Sequence, residues 1–218
     1  MGRVIGLDHA PHRLRSFLIS VPVSVCLSSA LALSGAVPAV AVSSSASAPP
    51  RTAAGPRSLT VLTDLFAERL LVADKVAAAK YGTATPIDDP VREKAILDDV
   101  AGRAVGLGLD PDAVTAVFRD QIEANKLVQR GLYARWDAHP QERPTERPDL
   151  VKEVRPVLDR ITTQLLTALQ ETESRRAGAP CEPWLRVAAA RSAFVHRLDL
   201  LHGEGLARAL PSVCGTRP

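Results

Sequence analysis

The residues of this chain that could do chemistry are cations and amides on or beside core-facing positions: Arg69, Lys80, Arg92, Arg155, Asn125 and Gln129. Residues 59–81 read as one amphipathic helix, free of internal Gly and Pro, with an apolar stripe Leu62, Leu65, Phe66, Ala73, Val76. Arg69 and Lys80 lie on that same stripe. They are eleven positions apart, close to three turns, so they point the same way about 16 Å from each other along the axis. A cation facing the core is costly unless it meets an anion. One such residue reads as a snorkelling stem or half of a buried ion pair. Two on one stripe, with amides on another helix, read as facing an anionic ligand. Asn125 and Gln129 are one turn apart in the row Val114, Phe118, Gln121, Asn125, Gln129, Leu132, Trp136, where a core helix would bury apolar groups. Such a set suits a small dianion that is clamped by charge-assisted hydrogen bonds rather than attacked by acid and base.

Other chemistries find little support. The sequence has no G-x-S-x-G, no P-loop and no Gly-rich dinucleotide fingerprint. Three histidines lie beyond residue 41. His139 falls in a Pro-rich stretch, and His196 and His202, each three residues from Asp199, read as surface residues rather than metal ligands. No metal and no cofactor are expected. Asp88 and Asp89 are adjacent and so point apart; Asp89 reads first as a helix cap.

The elements that must position these groups are helical. The chain has 218 residues, 46% of them hydrophobic and only 4% aromatic, and is rich in Ala and Leu. Beyond 59–81, helices are expected over 90–106 and 111–137, each opened by Asp-Pro as N-cap and first residue. Gly82, Gly106 and Gly108 punctuate them. Residues 139–148 should cross the surface without helix. A fourth helix is expected over 150–176, with Arg155 at the edge of its stripe and Pro156 tolerated near its start. Another follows over 182–197, and a weaker one over 199–210, which Gly203 and Gly205 should destabilise. The expected fold class is all-α, a single-domain bundle of four to six helices.

Residues 1–41 read as a secretory signal: Arg3, Arg13 and Arg15 precede an apolar stretch, and Ala39-Val40-Ala41 offers small residues for cleavage. The alternative is a retained anchor, since no charge occurs between Arg15 and Arg51. Residues 42–57 read as a Ser/Ala/Pro-rich linker and 58–218 as the folded domain. The location expected is secreted or periplasmic, with no stable membrane association after cleavage. The net charge of +3 falls to +1 without residues 1–41, so nothing suggests nucleic acid. Cys26 leaves with the signal. Cys181 and Cys214 remain, and in an exported chain they suggest one disulfide, the alternative being two free thiols.

Four segments together resemble a known family. They are Ala67-Glu68-Arg69-Leu70; Val76-Ala77-Ala78-Ala79-Lys80; Pro86-Ile87-Asp88-Asp89-Pro90-Val91-Arg92-Glu93; and Val117-Phe118-Arg119-Asp120-Gln121-Ile122-Glu123-Ala124-Asn125. The order is similar to the all-helical (AroQ-type) chorismate mutases, and the signal and cysteine pair are similar to their exported subclass. The resemblance spans residues 59–214. It implies rearrangement of chorismate to prephenate without cofactor, and assigns roles. Arg69 and Arg155 would bind the two carboxylates, joined by Arg92. Lys80 and Gln129 would donate to the ether oxygen. Glu93 and the backbone near Asp89 would meet the ring hydroxyl. Asn125 stands where the family often has Ser or Thr. The place of Arg155 implies that one chain completes its own site, and the resemblance is compatible with a homodimer. Two competing readings are a non-catalytic exported module that binds a dicarboxylate or a protein, and a purely structural bundle with snorkelling cations.

Overall fold

The computed structural model describes residues 55–215, with side chains from Leu59 onward. The expected signal and nearly all of the linker therefore lie outside the described residues. Among the described residues there are helices and no strand. They are α1 (Gly55–Lys80), α2 (Pro90–Gly106), α3 (Pro111–Ala138), α4 (Arg155–Arg176), α5 (Cys181–Val195) and α6 (Leu200–Arg208). None is long and apolar enough to cross a membrane.

The start signals act as their chemistry requires. The Asp89 carboxylate accepts from the Arg92 amide at 3.0 Å, and Pro90 takes the first helical position, where no amide hydrogen is needed. Asp110 and Pro111 open α3 in the same way. Gly82 ends α1 at φ +68°, a conformation that costs glycine little.

α1 is the central element. Its apolar stripe packs against α3, α4, α5 and α6, while α2 rests mainly on α3. Leu62, Phe66, Leu70, Val100, Phe118, Val128, Ile161, Leu165 and Leu169 fill the core. The Cys181–Cys214 disulfide forms, with its Cα atoms 5.7 Å apart, and ties the start of α5 to the segment after α6. Arg176 reinforces that corner by donating to the Val213 and Leu169 carbonyls at 3.3 and 3.0 Å.

Several expectations need correction. The stretch expected as one helix over 150–176 begins instead with a π turn, Leu150–Val154, before α4. There the Val154 amide bonds the Asp149 carbonyl and the Arg155 amide bonds the Leu150 carbonyl, an i to i−5 register. Pro156 supplies the reason: its ring would meet the Lys152 carbonyl in a regular helix, and the wider turn relieves it. A short 3-10 turn, Pro140–Glu142, interrupts the stretch expected to lack helix. α6 forms in spite of its glycines, and Gly205 is needed there. A Cβ on it would lie 2.8 Å from Val128 Cγ2 and 3.0 Å from Leu70 Cδ2, so only glycine lets α6 press onto α1 and α3. His202, expected at the surface, is buried at 5% exposure.

Candidate active site

A cavity of about 210 Å³ opens where α1, the loop after it, α2, α3 and the start of α4 converge. α1 contributes Arg69, Val76 and Lys80; the loop, Thr85, Ile87 and Asp89; α2, Arg92, Glu93 and Ile96; α3, Ile122, Asn125, Lys126 and Gln129. The π turn and first turn of α4 close it with Leu150, Val154, Arg155 and Leu158. All eight residues expected at the site (Arg69, Lys80, Asp89, Arg92, Glu93, Asn125, Gln129, Arg155) border this one space. It continues as a cleft between α2 and α4, with Arg69, Arg92 and Arg155 in the shared wall.

Arg69 is the anomaly. It is 6% exposed, and its buried Nε and Nη1 hydrogens find no acceptor. Burial pushes its pKa well below the ordinary arginine value, down to about 10, with Asp159 only partly opposing. Buried polar groups are almost always hydrogen-bonded, and orphaned charged donors are expensive. Arg92 and Arg155 are more exposed, and neither forms an ion pair among the described residues. Three guanidinium groups thus border one cavity without a carboxylate of their own.

Lys80 reaches the cavity from the end of α1. Its ammonium donates to the Pro86 carbonyl at 2.9 Å and more weakly to that of Ile87 at 3.5 Å. Burial lowers its pKa below the usual lysine value, outweighing the support of Asp89, Asp88 and Glu93. Across the cavity, Asn125 Nδ2 donates to the Arg69 carbonyl at 3.4 Å, which turns Asn125 Oδ1 toward Gln129 Nε2 at 2.7 Å. Gln129 is 3% exposed, and its Oε1 has no partner. One amide hydrogen of Gln129 is used on Asn125, leaving the second for a ligand. Glu93 Oε1 accepts from the Asp89 amide at 3.2 Å, satisfying the N-cap backbone at the start of α2.

Sequence reasoning missed Lys126. It is 8% exposed, borders the cavity, and lies within 3.2 Å of carboxylate oxygens of Asp88, Glu93 and Glu123. Burial disfavours its charge, but those carboxylates outweigh burial and hold its pKa above the ordinary lysine value. The signal available in the sequence was its place one residue off the Asn125–Gln129 row, three after Glu123. His202 was misread for a different reason. Its Nδ1 lies 2.6 Å from Asp199 and its Nε2 3.0 Å from Asp74. The Asp74 bond raises its pKa to about 9, against burial and with help from Asp199. Asp74 is on α1, away from His202 in sequence, so only the fold reveals the pair. Among the described residues no group of His, Cys, Asp and Glu is arranged to hold a metal.

Comparison with known proteins converges on one chemistry. Residues 60–130, from α1 through most of α3, match the family described as chorismate mutase type II. The chain is 32% identical over 166 residues to the secreted chorismate mutase of Mycolicibacterium smegmatis, covering 76% of this chain and 91% of that protein. It is 33% identical over 164 residues to the secreted chorismate mutase of Mycobacterium tuberculosis, covering 75% and 82%. The crystal structure of chorismate mutase from Burkholderia thailandensis superposes with a TM-score of 0.69 at 38% identity, over 72% of this chain and 99% of that one.

Proposed function

Because this chain belongs to the chorismate mutase type II family and is a chorismate mutase, we propose that its α1–α4 cavity converts chorismate to prephenate by clamping and electrostatics alone. The reaction breaks the ether C–O bond and forms a C–C bond within one molecule. It transfers no proton and needs no nucleophile. Its transition state is dipolar, with negative charge growing on the ether oxygen.

In this reading Arg69 and Arg155 take the two carboxylates, with Arg92 beside them. They hold the enolpyruvyl group over the ring, a compact conformer that is rare in water, so part of the entropy cost is met on binding. Lys80 and the free amide hydrogen of Gln129 donate to the ether oxygen, where they stabilise the transition state more than the substrate. The Glu93 carboxylate accepts from the ring hydroxyl, which the backbone near Asp89 also meets. Asn125 contacts the Gln129 amide and fixes its orientation. The observation that carries the proposal is Arg69, buried with two donors and no acceptor.

The test is loss of the diene absorbance of chorismate with purified residues 42–218, oxidised, beside the Lys80→Ala protein. Removing one donor to the developing charge should slow turnover by about two to three decades, with the helical circular dichroism unchanged. Full activity in Lys80→Ala would remove Lys80 from the site. We also propose that residues 1–41 are a cleaved export signal. The relatives named as secreted support this, as does a disulfide, which persists in oxidising compartments. N-terminal sequencing of the exported protein should begin near Val42. All the proposed site residues come from a single chain, so a homodimer, if formed, is not needed to complete the cavity, and activity should not depend on protein concentration.

A further inference from the structure

The loop between α1 and α2 supplies the two carbonyls that hold the Lys80 ammonium, yet it is mostly exposed and has no helix or strand of its own. Its anchor is a charge cluster on α3. The Asp88 oxygens accept from Arg130 Nη2 at 2.6 and 2.8 Å, and Asp88 lies 3.2 Å from Lys126 Nζ. Lys126, with a side chain only 10% exposed, also holds Glu93 at 3.1 Å and Glu123 at 2.6 Å. The connection runs from Arg130 and Lys126, through Asp88, to the Pro86 and Ile87 carbonyls and so to Lys80. A branch runs from Lys126 to the Glu93 carboxylate.

This cluster is surplus to the folding of α2. Asp89, Pro90 and Glu93 already satisfy the start of that helix, and Asp88 has no capping duty. A lysine ammonium on a four-carbon stem is also poorly preorganised by itself, because the stem has many rotamers. Its acceptors must be fixed if it is to sit at one point in the cavity.

We propose that Asp88, Lys126 and Arg130 form a clamp that positions Lys80, through the loop carbonyls, and Glu93 directly. They are positioning residues, and the proposal rests on the chorismate mutase mechanism above. Misplacement of a catalytic group by a fraction of an ångström costs rate more than binding.

The discriminating variant is Arg130→Gln. Arg130 is half exposed, does not border the cavity and meets Asp88. Arg130→Gln should lower kcat several-fold while KM stays within about twofold, and Asp88→Asn should lower kcat by about tenfold or more. Lys126→Arg should retain more activity than Lys126→Met. A second readout does not require turnover: titration of the Lys80 ε-carbon by NMR. The charged groups supporting Lys80 are Asp88 and Asp89 of the loop and Glu93 of α2. Arg130 is not among them, so a move of the Lys80 titration to lower pH in Arg130→Gln reports a displaced loop rather than a lost neighbouring charge. Variants with lowered Tm but wild-type kcat and an unmoved Lys80 titration would reduce the cluster to a structural role. A wild type unable to rearrange chorismate would refute the mechanism, whereas the Lys80 titration would still decide the clamp.

Discussion

Replacing Arg69 by Met should make the empty protein more stable and the enzyme useless. Met keeps most of the buried stem and removes the guanidinium. The fall in the Arg69 pKa from the ordinary arginine value to about 10 reflects how far burial disfavours that charge. It corresponds to about 3 kcal/mol, an upper bound for the stability to be regained. The guanidinium stays charged wherever the fold survives, so the penalty applies in full at neutral pH. No buried anion is orphaned by the change, because Arg69 has no ion-pair partner and Asp159 is exposed. Each kcal/mol is worth about 2–4 °C in a domain of this size, so Tm should rise by several degrees. The ligand narrows that difference. Prephenate at a hundred times its Kd should stabilise the wild type by about 2.7 kcal/mol, and Arg69→Met very little. The assay is thermal or urea unfolding of both proteins at pH 7.5, with and without prephenate, beside turnover. A less stable Arg69→Met, or a wild type whose Tm ignores prephenate, would refute the argument that Arg69 is a destabilising residue kept for an anion.

Two further perturbations involve pH. Gln129 is neutral, so kcat/KM should be flat over about pH 5–8 and fall on the alkaline side below the usual lysine range, since burial lowers the Lys80 pKa. In Gln129→Glu, activity should instead require a protonated carboxyl and decline as pH rises, which a pH–rate profile would show. His202 has its pKa raised in the folded state from 6.5 to about 9. Its stabilisation should therefore be complete below about pH 6.5 and lost as pH rises through about 9. Urea unfolding between pH 6 and 9.5 should show that loss in the wild type, and His202→Gln should lack it.

Local chemistry made much of this molecule legible. The Asp89-Pro90 and Asp110-Pro111 pairs set the starts of α2 and α3, because capping depends on adjacent residues. Arg69 and Lys80 stood out since a 3.6-residue period places both on an apolar stripe. What escaped notice depends on distant partners. His202 looked like a surface residue until Asp74 of α1 was brought beside it. Lys126 went unread because Asp88 and Glu93 meet it only in the fold. Gly205 looked like a weakness of α6, while its purpose is contact with Val128 and Leu70 on two other helices. Pro156 was visible, but the wider register that accommodates it was not.

That register bears on how the protein can change over time. A π turn is an α-helix carrying one extra residue, and it sets Leu150 and Val154 against the cavity while Arg155 begins the regular helix. Deleting a single residue between 150 and 154 would rotate everything upstream by about 100° relative to Arg155. It would also press the Pro156 ring against the backbone. This wall of the cavity can therefore drift by substitution, one side chain at a time, but not by shortening, and Pro156 acts as a ratchet that preserves the inserted residue.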